Sequence, residues 1–334
     1  MIFNEIITPS LERWRHALMS ADKGKGNIKI ANYTDWMSQL PSELWTIPLF
    51  KLAIPGSHDS VSYDLDTSSA IIEPDNLKRF SWIYCLRRIV RTWGMTQEYT
   101  ITMQLEAGVR YFDLRIARKC NDHHPTRLYF YHGLYTSTDV ETVLREIHAW
   151  TVAHPKEVII LAFSNFNGFE KNIKEKLHNH LIGFMKTMFG SKLVPPVGIP
   201  TLQNCWDQGK NVIVSYDYPA NHHPEMWKKI TYYYANSMDR AQVKSKISEA
   251  LGKEKTSNCF FVCGLNMTLP ADHRILIYIL RLCDSFPNVI RRGLPKLLKW
   301  LKQQSGVNIV ASDLATRKDF VSTVVELNSA LMKP

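Results

Sequence analysis

Six ionisable residues follow or lie within short apolar segments of the chain: His58, Asp59, Asp113, Arg115, His132 and Asp313. Residues two apart in a strand share a face, so Asp113 and Arg115 are predicted to point the same way. Two imidazoles, each oriented by a carboxylate, can act as general base and general acid across a phosphorus atom. A guanidinium beside them neutralises charge on phosphate oxygens. The set predicts phosphodiester cleavage without an obligatory metal ion.

Each of these residues also has a structural interpretation. A lone histidine such as His58 or His132 is commonly a structural or surface residue. Asp113 and Arg115 could form an internal salt bridge, and Asp313 could cap the helix that follows it. Because such residues recur at the ends of four predicted strands, we favour a shared site.

The elements that must position these residues alternate along the chain. Eight segments rich in β-branched and aromatic residues predict strands at 49–54, 109–116, 128–131, 158–163, 212–216, 230–234, 260–263 and 307–311. Helical periodicity predicts helices at 96–107, 139–153, 169–189, 237–251, 295–304 and 317–332. This α/β alternation predicts one domain, a somewhat irregular (β/α)8 TIM barrel, with an open doubly wound sheet as the alternative. The absence of a glycine-rich phosphate loop after the strands favours the barrel.

Composition narrows the class of protein. Of 334 residues 45% are apolar, and 9 Trp, 14 Tyr and 14 Phe supply a core, which excludes a disordered chain. The 41 basic against 31 acidic residues give a net charge of +10, so the expected partner is a polyanion. Apolar runs such as 275–280 are too short for a transmembrane segment, and residues 1–5 do not resemble a secretory signal. We therefore expect a cytoplasmic protein.

Five stretches of the sequence resemble the X domain of phosphatidylinositol-specific phospholipase C, and in particular small cytosolic proteins that contain an X domain and little else. They are residues 35–37, 52–59, 107–115, 154–158 and 310–313. The similarity runs from about residue 32 to residue 332. It implies an N-terminal extension over residues 1–31 and a catalytic barrel over residues 32–334.

The resemblance implies a role for each histidine. His58 would be the general base that takes the proton from the inositol 2-hydroxyl, oriented by Asp313. His132 would be the general acid that protonates the diacylglycerol oxygen, with Asp59 as its partner. The first product would be a 1,2-cyclic inositol phosphate, because the nucleophile is held within the substrate.

The resemblance also bears on metals. Arg115 would stabilise the transition state, and Asp113 would orient Arg115 or the attacking hydroxyl. In calcium-dependent relatives acidic ligands occupy the positions that Arg115 and Ser164 occupy here. This implies no metal site, no required calcium and no other cofactor. Candidate substrate contacts, chosen by position, are Ser164, Asn165, Tyr216 and Asp217.

A basic and aromatic stretch over residues 78–93 contains Trp82, Arg87 and Arg88 and lacks acidic residues. We expect it to dock peripherally and transiently on an anionic phospholipid surface that carries the phosphatidylinositol substrate. The alternative is a solvated helix face, which we favour for the second basic stretch, 291–302. No nucleic-acid-binding motif accompanies the charge, so a nucleic-acid partner is not expected.

Two other functions remain open at this point. One is a catalytically silent phosphoinositide-binding module on the same barrel, against which the presence of His58, His132 and Arg115 argues. The other is a nucleic-acid or protein scaffold that uses the basic faces.

Overall fold

The computed structural model describes residues 30–120, 122–218, 223–268 and 286–332. Within these ranges nine strands form one sheet: β1 Ile54–Ser57, β2 Tyr111–Ala117, β3 Tyr129–His132, β4 Leu134–Asp139, β5 Ile159–Asn167, β6 Val212–Tyr216, β7 Thr231–Tyr233, β8 Phe261–Gly264 and β9 Ile309–Ser312. The predicted extension, residues 1–31, lies outside the described part except for its last two residues, and the apolar run 275–280 lies wholly outside it.

Nine α-helices accompany these strands in the described ranges: α1 Asp75–Lys78, α2 Tyr84–Gly94, α3 Ile101–Glu106, α4 Val140–Ala153, α5 Lys174–Phe189, α6 Leu202–Asp207, α7 Arg240–Glu254, α8 Phe286–Leu301 and α9 Lys318–Glu326. Asp139 is the N-cap of α4, since its side chain accepts from the Thr142 backbone N–H. None of the described helices has both the length and the apolar character that a membrane span requires.

Seven strands run parallel, in the order β6, β5, β2, β1, β9, β8, β7. The chain just before β7 returns to β6 through a single parallel bridge between Ser215 and Trp227. Apolar side chains of the strands and surrounding helices form one large buried cluster. The α/β class, the single domain and the irregular barrel were therefore predicted correctly.

The strand predicted at 128–131 does not join the parallel ring. It forms β3, which is antiparallel to the end of β2 and pairs with β4, a strand that the sequence analysis missed. Gly133 joins the two strands with φ +75°, a conformation that glycine adopts readily. Two small apolar clusters, separate from the main core, support this hairpin: Leu65, Ile71, Leu77, Val90 and Leu134, and Ile72, Ala117, Tyr129, Tyr131 and Tyr135.

The first strand is displaced from its predicted position, 49–54, and shares only Ile54 with it. Residues Leu49–Lys51 form a 3-10 turn after Pro48, and β1 begins at Ile54. The register of the ring then explains why the polar residues converge. Gly56 of β1 is level with Tyr111 of β2 and Ala311 of β9. Because side chains alternate between faces, the residues two positions on, His58, Asp113 and Asp313, share the next level above this one.

The opposite end of the barrel is closed by a buried ion pair. Arg110, which precedes β2, is fully buried, and its Nη2 lies 2.7 Å from Glu157 Oε2. Glu157 also accepts from the backbone N–H groups of Met37 and Ser38, at 3.2 and 3.0 Å. The chain before the barrel is thereby fixed to the N-terminal ends of the strands.

Candidate active site

His58 follows β1 and forms a buried pair with Asp313, which follows β9. His58 Nδ1 lies 2.8 Å from Asp313 Oδ1, and Arg115 Nη2 lies 3.0 Å from His58 Nε2. The hydrogen-bond partner of Nδ1 is the Asp313 carboxylate, so the single proton of the neutral ring is assigned to Nδ1. Nε2, which also lies near the Asp59 carboxylate, is then free to accept from the Arg115 guanidinium, which only donates hydrogen bonds. This is the tautomer that a general base needs, with its lone pair on Nε2.

Asp59 lies at the centre of the site. Its carboxylate oxygens are 2.6 Å from Arg115 Nε, 3.1 Å from His58 Nε2 and 3.2 Å from His132 Nε2. Asp113 Oδ2 lies 3.6 Å from Arg115 Nη2 and accepts from the Asp59 backbone N–H at 3.3 Å. Asp59 has φ +43°, a conformation that costs energy in a non-glycine residue and that is often found at functional sites.

His132, at the end of β3, has a different environment from His58. Its Nδ1 lies 2.7 Å from the carbonyl oxygen of Gly94, and its Nε2 faces Asp59. Both partners of the ring are acceptors, an arrangement that suits an imidazole carrying protons on both nitrogens. The two rings are 5.9 Å apart between centroids. One imidazole is therefore arranged to accept a proton and the other to donate one.

Burial dominates the titration of these groups. It lowers the pKa of His58 to about 4 and raises the pKa of Asp113 and of Asp313. Burial, together with the charge of Arg115, also lowers the pKa of His132 from the usual 6.5. Both imidazoles therefore lose their protons at lower pH than an exposed histidine does.

The donor atoms of this site do not suit calcium. One ligand atom each from His58, Asp59 and Asp113 lies within 4.8 Å of the others, which is close enough for a cation. Calcium, however, takes six to eight oxygen ligands, and here one donor is an imidazole. The Arg115 guanidinium already contacts both carboxylates. We therefore derive no catalytic step through a metal.

Two of the four predicted substrate contacts, Ser164 and Asn165, lie near the histidine cluster. Ser164 is the register partner of Arg115 on the neighbouring strand β5, so it lies beside the site. Asn165 is exposed with φ +51°, and its carbonyl oxygen accepts from the Tyr131 hydroxyl at 3.0 Å. These two residues lie at the rim of the barrel that carries the site.

The other two candidates have different partners. Tyr216 is buried against α5, where its hydroxyl pairs with His178 Nδ1 at 2.9 Å. Asp217 forms an ion pair with Lys229 at 2.6 Å. Tyr216 therefore lies apart from the cluster around His58, and the substrate contacts of Tyr216 and Asp217 stay predictions.

The basic and aromatic stretch, residues 78–93, begins at the last residue of α1 and covers α2 except for Gly94. Trp82 is 78% exposed and Tyr84 54%, and Arg88 is exposed as well. Arg87 differs, because its guanidinium donates to the carbonyl oxygens of Thr67 and Ser81 at 2.7 and 2.6 Å. Of the three predicted docking residues, Trp82 and Arg88 face solvent and Arg87 holds the preceding loop.

Sequence reasoning missed three residues that surround the histidines. Gly94 supplies the carbonyl oxygen that holds His132, and the Gln97 side chain donates to the carbonyl oxygens of His58 and Ser312. Glu73 lies next to the hairpin and interacts electrostatically with His132. Burial raises the pKa of the Glu73 carboxyl. No local pattern marks them, because they come from the connection between β1 and β2, which has no strand periodicity of its own.

The barrel and its buried histidine, arginine and aspartate cluster define a protein of the phosphatidylinositol-specific phospholipase C type in fold. A family profile described as PI-PLC X 1 matches residues 91–254. PI-PLC X domain-containing protein 1 of Mus musculus is 36% identical over 322 residues, covering 91% of this chain and 89% of the relative. PI-PLC X domain-containing protein 3 of Homo sapiens is 33% identical over 323 residues, covering 93% and 97%. The chain belongs to the PI-PLC X domain-containing family.

Solved structures agree on the fold. The phosphatidylinositol-specific phospholipase C from Listeria monocytogenes matches with a TM-score of 0.61 and 19% identity, over 89% of this chain and 99% of that one. The enzyme from Staphylococcus aureus, in a structure concerned with its membrane binding, matches with a TM-score of 0.63 and 17% identity, over 89% and 97%. At these identities the likeness establishes the TIM-barrel fold.

Proposed function

We propose that this protein is a phosphoric diester hydrolase of the phospholipase C type that cleaves phosphatidylinositol lipids. One observation carries the proposal: His58 has an acceptor nitrogen facing a guanidinium, and His132 lies between two acceptors, 5.9 Å away between ring centroids. A base and an acid that face each other, with an arginine beside the base, are what in-line displacement at a phosphate needs.

The reaction assigns a role to each group. His58 Nε2 takes the proton of the inositol 2-hydroxyl, whose oxygen attacks phosphorus. The bond from phosphorus to the diacylglycerol oxygen breaks, and His132 gives its proton to that oxygen. Diacylglycerol and a 1,2-cyclic inositol phosphate result. Arg115 stabilises the charge on the non-bridging oxygens, with Asp59 and Asp113 holding the guanidinium.

The site works without calcium in this proposal, because the Arg115 guanidinium supplies the positive charge that a cation would supply. The test is inositol phosphate release from phosphatidylinositol vesicles with and without a chelator. We expect activity that survives the chelator and is lost in His58→Ala and His132→Ala. If wild-type protein releases no more inositol phosphate than these variants, the proposed enzymatic activity is refuted. If the chelator abolishes the activity, the proposal that Arg115 takes the place of the cation is refuted.

A silent phosphoinositide-binding module is the second candidate. The observation in its favour is that His58 Nε2 is already engaged by Arg115 at 3.0 Å, so a substrate hydroxyl must displace the guanidinium to reach the base. Vesicle binding that depends on phosphatidylinositol, together with no release of inositol phosphate, would select this candidate.

The two histidines predict an acidic pH profile. The base works above its pKa, which burial lowers to about 4, and the acid works below its pKa, which lies below the usual 6.5. We therefore expect kcat/KM to be highest between these two pKa values and to fall as the pH rises through the pKa of His132, below 6.5.

A substrate with a nitrophenolate leaving group provides the control for this profile. Nitrophenolate leaves without a proton donor, so the fall at higher pH should disappear for that substrate while the acid limb stays. A maximum above pH 7.5 on the lipid, or the same alkaline limb on both substrates, would contradict the assignment of His132.

Docking on an anionic membrane is the remaining part of the proposal, supported by the exposed Trp82 and Arg88. Charge reversal in Arg88→Glu should weaken binding to anionic vesicles by about tenfold or more, since each basic residue near such a surface contributes about 1 kcal/mol. Vesicle sedimentation measures this. Lys156→Glu, an exposed change at the opposite end of the barrel, is the matched control. Equal binding of the two variants would reject this surface.

A further inference from the structure

The last residue of α2 and the connection that follows it contact both histidines of the site. We call these residues, 94–97, the brace. Its first residue, Gly94, accepts the Nδ1 hydrogen bond of His132 through its carbonyl oxygen, at 2.7 Å. A Cβ atom at Gly94 would lie 2.7 Å from the His132 carbonyl oxygen, so the close approach of helix and hairpin requires glycine.

The end of the brace holds the base. Thr96 Oγ1 donates to the His58 carbonyl oxygen at 2.9 Å, and Gln97 Nε2 donates to the same oxygen at 2.9 Å. Gln97 Nε2 also donates to the carbonyl oxygen of Ser312, again at 2.9 Å. Ser312 directly precedes Asp313, so one amide joins the ends of β1 and β9.

The far side of Asp313 is held as well. Gln97 Oε1 accepts from the Ala315 backbone N–H at 3.0 Å, and the Thr96 carbonyl oxygen accepts from the Leu314 N–H at 2.8 Å. Leu314 has φ +51°, a conformation that the surrounding contacts must maintain. The Gln97 side chain is fully buried, and its three hydrogen bonds satisfy three backbone groups that no solvent reaches.

We propose that Gln97 is a positioning residue for the proposed reaction: it sets the distance between the base His58 and Asp313 by tying together the backbone that carries them. This inference rests on the proposed function. Gln97 touches neither substrate nor reacting atoms, and its effect passes through His58. Because the brace also holds His132, the distance between base and acid depends on the same four residues.

A matched control is available within the chain. Asn308 is also a fully buried amide, and it donates to the carbonyl oxygens of Leu49 and Leu52, at 3.0 and 2.7 Å, and accepts from the Phe261 N–H, at 3.3 Å. It makes the same three kinds of bond at the opposite end of the barrel. Asn308→Leu should therefore match Gln97→Leu in its effect on thermal stability without displacing the base.

The experiment compares Gln97→Leu, the shorter amide Gln97→Asn and Asn308→Leu with wild type on phosphatidylinositol vesicles. We expect kcat of both Gln97 variants to fall about 10- to 100-fold, as for a misplaced catalytic group, with KM within about twofold. Asn308→Leu should keep the wild-type kcat below its melting temperature. Equal kcat losses in the Gln97 and Asn308 variants would reduce Gln97 to a stability role and overturn the proposal.

A second measurement separates this inference from the proposed function. In protein labelled with nitrogen-15 histidine, the Nδ1 proton of His58, identified by its loss in His58→Gln, should resonate downfield because it is hydrogen-bonded to Asp313. We expect that resonance to shift or vanish in Gln97→Asn and to persist in Asn308→Leu. This result is obtained whether or not the protein cleaves lipid. An unchanged resonance in Gln97→Asn and Gln97→Leu would overturn the inference, and inactive wild type with the expected shift would overturn only the proposed function.

Discussion

Glu157→Gln is expected to lower the free energy of unfolding by about 3–5 kcal/mol, as for a broken buried ion pair. The substitution keeps the shape of the side chain and removes its charge. Arg110 would then be a buried cation without its counter-ion. Because Glu157 also binds the backbone of Met37 and Ser38, the chain before the barrel should loosen too. Denaturant unfolding measures the change.

Glu249→Gln is the control for this substitution. Glu249 lies exposed on α7 between Lys246 and Lys253, at 3.0 and 2.6 Å, and exposed ion pairs of this kind contribute little. We expect no measurable change in its unfolding midpoint. If Glu157→Gln unfolds at the same denaturant concentration as Glu249→Gln, the buried pair does not hold this end of the barrel.

Arg115→Lys is expected to lower kcat by about 100- to 1,000-fold, the range seen when one group that stabilises transition-state charge is removed. Lysine keeps the positive charge. It lacks the planar fork that contacts Asp59 through Nε and both His58 and Asp113 through Nη2. Initial rates on phosphatidylinositol vesicles measure the effect, and we expect KM to change far less than kcat.

Arg118→Lys provides the comparison. Arg118 follows β2, donates to the His124 carbonyl oxygen and lies beyond the site, so the same exchange there should leave kcat near wild type. If both variants keep full activity, charge alone suffices at residue 115 and the fork geometry has no catalytic role. If calcium restores Arg115→Lys to the wild-type rate, a cation can replace the guanidinium.

The sequence predicted the candidate site best where a local pattern determines on which face of a strand a side chain lies. The alternation in β2 places Asp113 and Arg115 on one face from sequence alone, and strand ends in a barrel meet at one rim. Tyr216 shows where this fails. Ser215 is level with Ala162, which is level with Asp113, so Ser215 faces inward and Tyr216 faces outward. To reach that conclusion one must know the register between neighbouring strands, and no local sequence pattern gives that register.

The hairpin and the brace could not be predicted from the sequence, for a related reason. Residues 128–131 have the composition of a barrel strand, and composition does not distinguish a parallel neighbour from an antiparallel one. Gln97 was predicted inside a helix at 96–107, but the helix begins at Ile101 and Gln97 lies in the connection before it. Its hydrogen bonds reach backbone groups distant in sequence, such as the carbonyl oxygen of Ser312, which is more than 200 residues away. Long-range backbone contacts of this kind become visible once the fold is known.

The position of His132 outside the parallel ring has a consequence for control of the protein. The strands of the ring pack in the main core, whereas the hairpin that carries His132 reaches that core through Leu128 and Phe130 and is otherwise supported by two small apolar clusters. Regions with few buried apolar contacts open at a lower free energy than the global core. We therefore expect the hairpin to open locally, and to carry the proposed proton donor away from the proposed base, while the barrel stays folded. In the proposed reaction, such an opening would stop catalysis reversibly.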